Sequence, residues 1–209
     1  MARSDSEIVN ASLALCGVKR QVGSVGDGSP EANAGAILFP IARDGLLGEA
    51  QWPFATRRKT LTARNDGALV PLPVSRMNWD FSFTIPDDFL YAQHITVAGN
   101  RMPTVEARIP FAIEAGDSGT GLLLFCDTEA PELVYTCKGA DVGSYPPLFT
   151  EALVWRLASM LILPLAINPQ YAQSLGNMAG IALRKAIASS LLQQEEGPVP
   201  DSETITVRL

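Results

Sequence analysis

One stretch constrains this chain more than any other: Ser29 to Leu61, SPEANAGAILFPIARDGLLGEAQWPFATRRKTL. It reads as one long helix that ends in an aromatic plug and runs into a basic strand. Ser29 is a suitable N-cap, Pro30 fits the first helical position, and Glu31 sits where the helix dipole favours an acid. Apolar residues recur at Ala34, Ile37, Leu38 and Ile41, then at Leu46, Leu47 and Ala50, which is helical and not alternating periodicity. The spacing predicts that this stripe faces the core. Pro40 lies inside and removes a backbone hydrogen bond, so a kink is expected near it. The helix stops at Trp52-Pro53, because proline disfavours helix in the residue before it. Trp52 and Phe54 are the expected structural anchors, both buried, fixing the helix end to whatever follows.

With 47% hydrophobic and 18% charged residues in 209, the chain supports one large domain, or one domain with an insertion. The balance is acidic, 22 Asp plus Glu against 16 Lys plus Arg, for a net charge of −6. A free-standing nucleic-acid binder carries a basic excess, and this chain does not. Three cysteines, Cys16, Cys126 and Cys137, are too few and too unevenly spaced for a disulfide framework or a zinc site. They read as buried free thiols, consistent with a reducing compartment. No signal peptide is expected in MARSDSEIVN, and Leu157 to Ile167 is shorter than the roughly 20 residues a membrane span needs.

Around the long helix the organisation reads as follows. A first helix runs from about Asp5 to Cys16, with Ile8, Val9, Ser12, Leu15 and Cys16 on one face and Gly17 ending it. From about Arg57 to Lys138 the period changes to two. Phe81–Ile85 and Phe89–Val97 are strands, Ile109–Glu114 is a shorter one, and Thr120–Cys126 with Leu133–Cys137 reads as a hairpin. One antiparallel sheet of four to six strands is expected. Pro146-Pro147 then opens a helix apolar on nearly every face. Asn168 as cap and Pro169 begin a last helix to about Glu195, with Tyr171, Leu175, Met178, Ile181, Leu183, Ile187 and Leu191 along it. Gly176 and Gly180, four apart, allow another helix close to that face. The fold class is therefore α+β: a helical core of about four helices (residues 1–56 and 140–197), a β-rich insertion (57–139) and an extended C-terminal tail (198–209).

Residues able to carry chemistry are sparse. His94 stands alone in a strand without a partnered nucleophile or acid. Asp87-Asp88 follows Pro86 and reads as a turn, since calcium takes six to eight oxygen ligands. Gly23–Gly28 and Gly116–Gly121 are glycine-rich, but neither carries the Lys-Ser/Thr ending of a phosphate-binding loop. No catalytic, cofactor or metal residue is assigned. The basic run Arg57, Arg58 and Lys59, with Arg64, is a solvated strand start or a contact to an acidic partner or to DNA phosphates. In the tail, Thr204, Thr206 and Arg208 alternate with Ile205, Val207 and Leu209, a strand without an evident internal partner. Such a strand suits pairing with another chain.

The order of these pieces resembles the tail tubular protein A-like head-to-tail adaptors of tailed bacteriophages, the gateway or connector family. The matching segments are ASLALCGV (Ala11 to Val18), SPEANAGAILFPIARDGLLGEAQWPFATRRKTL, FSFTIPDDFLYAQHITV (Phe81 to Val97) and LVYTCKGADVGSYPPLFTEALVWRLASMLILPLA (Leu133 to Ala166). Together they cover roughly residues 7 to 195. The resemblance implies a four-helix core with a β-rich insertion, assembled as a ring of twelve beneath the portal. It implies a structural role: extending the DNA channel, with duplex DNA passing unread, and offering a platform for the tail or nozzle. The virion, assembled in the bacterial host cytoplasm, is the implied location. The family has no catalytic motif to carry over. The tail (residues 204–209) is expected to dock on the portal first, a neighbouring copy second. A tail terminator or other ring-forming tail protein is the alternative, and a virion-associated hydrolase the more distant one.

Overall fold

The computed structural model describes residues 4–24, 27–63, 79–100, 103–116, 121–165, 167 and 169–192. Four helices and six strands make an α+β fold, with the strands inserted between the second and third helices.

Helix α1 spans Asp5–Leu15 and is closed by a capping box. The Ser4 hydroxyl accepts from the Glu7 amide at 3.3 Å, and the Glu7 carboxylate accepts from the Ser4 amide at 3.2 Å. Gly17 follows with φ 81°, the left-handed position that ends a helix. The buried face is Ile8, Val9, Ser12 and Leu13; Leu15, expected inside, is exposed. The Asn10 side chain exchanges two hydrogen bonds with the Val22 backbone, at 2.7 and 2.9 Å, and so fastens the loop that follows.

Helix α2 spans Pro30–Glu49 as one element with Pro40 inside it, and the Ser29 hydroxyl accepts from the Ala32 amide at 3.2 Å. The inward face is the expected one only in part: Leu46 and Leu47 are buried, and Ala34 and Leu38 pack half-buried against the core. Ala32, Gly35, Phe39, Ala42, Leu46 and Leu47 are buried, whereas Ile37 and Ile41 are 65% and 56% exposed. A small residue explains the rotation. Gly35 lets α1 approach closely: a Cβ there would lie 2.8 Å from Val9 Cγ1. Periodicity of bulky residues places Leu46 and Leu47 correctly, but at Ile37 and Ile41 the helix turns its other side inward.

The strands form two sheets and not one. β1 (Thr56–Thr60), β6 (Pro131–Cys137) and β3 (Phe89–Val97) form an antiparallel sheet with β6 central. β2 (Phe81–Thr84), β5 (Leu122–Cys126) and β4 (Ala112–Ala115) form the other, with β5 central. The expected hairpin between β5 and β6 is therefore absent. A strand has two edges, and β1 and β3 occupy both edges of β6 while β2 and β4 occupy both edges of β5. Continuous apolar runs such as LLLFC mark strands covered on both faces, not mutual partners. The glycine-rich segment 116–121 instead joins β4 to β5, and the Gly116 amide donates to the Gly121 carbonyl at 2.7 Å. The expected strand at Ile109–Glu114 begins later, at Ala112. An isolated bridge from Ala63 to Phe83 ties the chain after β1 to the second sheet.

Helix α3 spans Pro147–Leu161 and α4 spans Gln170–Leu191. α3 packs against α1, α2 and α4, and its apolar faces are accordingly covered: Phe149, Ala152, Leu153, Leu157, Ala158 and Leu161 are buried. α4 starts at the Pro169 cap, without a side-chain cap bond; Asn168 lies outside the described residues. It buries Leu175, Ala182, Ala186 and Ser190, and exposes Tyr171, Met178, Ile181 and Leu191. One buried cluster runs through helices and both sheets, from Ile8 and Leu46 to Phe83, Leu124 and Leu133. Insertion and helical core therefore share their interior.

The α1–α2 crossing makes a prediction. Gly35→Ala gains helix propensity of ~1 kcal/mol, but overpacking a filled site costs about 1–3 kcal/mol. The net effect expected is destabilisation, read by urea unfolding. In a Val9→Ala background the same change should be neutral or stabilising, because the clashing methyls are gone. Equal costs in both backgrounds would exclude the contact as the cause.

Candidate functional site

Trp52 and Phe54 meet the start of α3 in a four-ring cluster. Phe149 is its hub, with ring centroids 4.9 Å from Trp52, 4.8 Å from Phe54 and 5.0 Å from Tyr145, all near edge-to-face. Edge-to-face pairs at this separation add about 0.5–1.5 kcal/mol each beyond area burial. Trp52 is 1% exposed, and its indole N–H donates to the Leu46 carbonyl at 3.0 Å. That bond closes a carbonyl in the last turn of α2, which has no glycine cap and no basic residue there. Phe54 differs from expectation in being half-buried, packed on Tyr145 at 5.5 Å. A short 3₁₀ turn over Pro53–Ala55 carries the chain from the plug into β1. The Thr56 hydroxyl donates to the Trp52 carbonyl at 2.8 Å, fixing where the strand begins.

The basic run falls on β1, at a sheet edge, with Arg57, Arg58 and Lys59 exposed. Arg57 is engaged within the chain: its guanidinium lies 2.6 Å from Asp88, which also accepts from the Tyr135 hydroxyl at 2.9 Å. The turn at Pro86–Asp88 thereby supplies the acid that β1 faces. Arg64 and the tail residues Thr204, Ile205, Thr206, Val207, Arg208 and Leu209 lie outside the described residues. The first glycine-rich loop keeps its own anion: the Asp27 carboxylate accepts from the Ser29 amide at 2.9 Å and the Gly23 amide at 3.3 Å. Those hydrogen bonds to Ser29 hold its pKa below the usual value.

His94 sits in β3 opposite Val134, with Nε2 buried and unpartnered. Burial, then Arg108 and Arg58, lower its pKa, against Glu132. Its neutral form is thereby favoured. All three cysteines are free thiols; Cys126 and Cys137 are buried, and Cys16 is half-buried, its thiol 3.3 Å from the Ala158 carbonyl. Burial pushes all three thiols up, away from the thiolate. Among the described residues no three His, Cys, Asp or Glu side chains converge as a metal site, and no helix is long and apolar enough to cross a membrane.

What the described surface offers is apolar and shaped for contact. Ile37 and Ile41 stand one turn apart on the outer side of α2. Tyr171, Met178 and Ile181 line the outer side of α4. Between α1 and α3 runs a groove of about 400 Å³, walled by Ala11, Leu15, Val154 and Trp155, with Glu7 and Glu151 among its lining residues. The groove and the exposure of Ile37 and Ile41 were not read from the sequence. The small residues on the inward side of α2 are the signal for that exposure. Among the described residues Gly176 and Gly180 meet no second helix: a Cβ at either finds at most the Arg184 side chain, at 3.8 Å.

No protein-family model matches this chain, and no curated sequence matches it significantly.

The aromatic cluster yields one prediction and the buried tyrosines another. Trp52→Ala should cost about 3–5 kcal/mol, the range for a large core aromatic, and half-buried Phe54→Ala clearly less; chemical denaturation checks the order. Burial, then the Asp88 hydrogen bond, pushes the Tyr135 hydroxyl from 10 up to about 12, and burial does the same for Tyr145. Their folded pKa values lie above the unfolded ones, so this stability is complete below pH 10 and is lost as pH rises towards about 12. Tyrosinate absorbance should show these two ionising late, together with unfolding.

Proposed function

We propose that this chain is a structural head-to-tail adaptor of a tailed bacteriophage, assembling side by side as a ring under the portal. The ring, of twelve copies by the resemblance, extends the DNA channel and presents a platform to the tail or nozzle. Its place is the head–tail interface of the virion. The role is mechanical, without catalysis or a cofactor.

One observation carries the reading. The two segments on which the resemblance rests most, Trp52–Ala55 and Tyr145–Phe149, are about ninety residues apart yet meet in one aromatic cluster. That contact is what a long helix, a β-rich insertion and a buried return helix need if they are one unit. The apolar outer sides of α2 and α4 add support, because large exposed apolar residues at helical spacing suit contact with other chains. A tail terminator, mostly β with few long helices, fits four helices poorly.

The acidic balance bears on the channel. A net charge of −6 per copy makes a ring of copies repel DNA phosphates, so the duplex passes without standing contacts. Tight, salt-sensitive binding of duplex DNA by the isolated protein would contradict that part.

Electron microscopy of the purified protein and of complete particles tests the assembly: annular particles with a central opening, and the protein at the head–tail joint, are expected. Deleting residues 198–209 should leave the circular dichroism of the helices intact and abolish attachment to portal-bearing heads. Normal production of DNA-filled, tailed particles with the truncated protein would remove the docking role of the tail.

A further inference from the structure

We infer that neighbouring copies join by laying the outer side of α4 of one copy into the α1–α3 groove of the next. The inference rests on the ring reading and says which surfaces make the joint.

The stripe comes first. Tyr171, Ser174, Met178, Ile181 and Lys185 are spaced +3, +4, +3 and +4, and every one of them is exposed. That spacing keeps five side chains on one line along about 21 Å of helix. The residues that α4 buries, Leu175, Ala182, Ala186 and Ser190, lie about a quarter-turn round the helix from this line, so the line flanks the buried side and stays exposed. Three of its members are large and apolar, the pattern by which an amphipathic helix reads a groove.

The groove is the second half. Its walls are apolar, Ala11 and Leu15 from α1 and Val154 and Trp155 from α3. Its volume of about 400 Å³ is within the roughly 300–1,000 Å³ of clefts that take up ligands. Its charged lining residues are both acids, Glu7 and Glu151.

Charge selects the occupant. α4 holds Arg184 and Lys185 and no acid; α1 holds Asp5 and Glu7 and no base. The cation of α3, Arg156, is already paired with Glu49 of α2. In a chain of net charge −6, α4 is thus a cationic helix with an apolar line, and the groove is an apolar cleft with acids. Each copy carries both halves on different surfaces. Joining unlike surfaces is the heterologous contact from which closed rings are built.

Sedimentation velocity on the purified full chain tests this with two variants. The stripe variant is Arg184→Glu with Lys185→Glu. The groove variant is Glu151→Lys with Glu7→Gln; glutamine at that position still serves a capping box. Each alone should weaken assembly at least about tenfold, because like charges across an interface are strongly unfavourable. Mixed in equal amounts, they should co-assemble, since each stripe then meets a groove of opposite charge. Met178→Asp, an exposed position that should leave folding intact by circular dichroism, should dissociate the assembly as well. Wild-type protein that assembles while all three variants assemble equally overturns the joint but leaves the ring reading standing. Loss of assembly in both variants without recovery on mixing overturns the pairing of these two surfaces. Wild-type protein that stays monomeric at every concentration removes a second copy as the occupant, and with it the ring reading.

Discussion

Trp52 does three jobs, two through its indole and one through its backbone, and the rest of the structure is arranged around them. Its indole N–H satisfies the Leu46 carbonyl in the last turn of α2, so the helix ends without a glycine. Its ring meets Phe149 in the first turn of α3, which brings the return helix to the end of the outgoing one across the whole β insertion. Its own carbonyl accepts from Thr56, which sets the first residue of β1 and hence the register of β1 against β6, Thr56 opposite Thr136. Register matters because a slip of one residue would turn every side chain of the strand to the other face. One buried aromatic thus couples helix termination, helix pairing and strand alignment.

Helices α2 and α4 share a second constraint: each buries several small residues beside its large ones and leaves other large residues exposed. α2 turns Ala32, Gly35 and Ala42 inward and leaves Ile37 and Ile41 outside; α4 turns Ala182, Ala186 and Ser190 inward and leaves Tyr171, Met178 and Ile181 outside. Small residues permit close backbone approach, and the return is dense helix packing. Apolar area left on the outside by this choice is stabilising only if something covers it. The fold therefore carries its incentive to associate in the same residues that hold its monomer together.

Much of this was legible in the sequence, and the failures have a common cause. Ser29, Pro30 and Pro53 act within one or two turns of themselves, so the bounds of α2 could be read directly. The strand at Phe89–Val97 was legible for the same reason. Partner choice was not. Whether Ile37 or Phe39 faces inward depends on Val9 of another helix reaching Gly35, and whether β6 pairs with β5 or β1 depends on a strand about seventy residues earlier. The groove between α1 and α3 exists only once those distant choices are made. Local chemistry fixes elements; the surfaces that carry function arise from contacts between elements, and periodicity alone does not encode them.

The basic run illustrates how placement changes the meaning of a motif. On the sequence, Arg57, Arg58 and Lys59 read equally as a solvated strand or as a contact for phosphates. In the fold they lie on β1, an edge strand, whose outer edge would otherwise offer unpaired backbone groups to any passing strand. Charged, exposed side chains on such an edge discourage pairing there. Arg57 is further committed to Asp88, and through that carboxylate to the Tyr135 hydroxyl on β6. A cation held 2.6 Å from an acid has little field left for DNA, especially within a net-negative chain. Edge protection is thus one role the placement of Arg57, Arg58 and Lys59 gives the run. It also narrows where association can occur: with this edge guarded by charge, the apolar helix faces and the groove are the better-prepared surfaces.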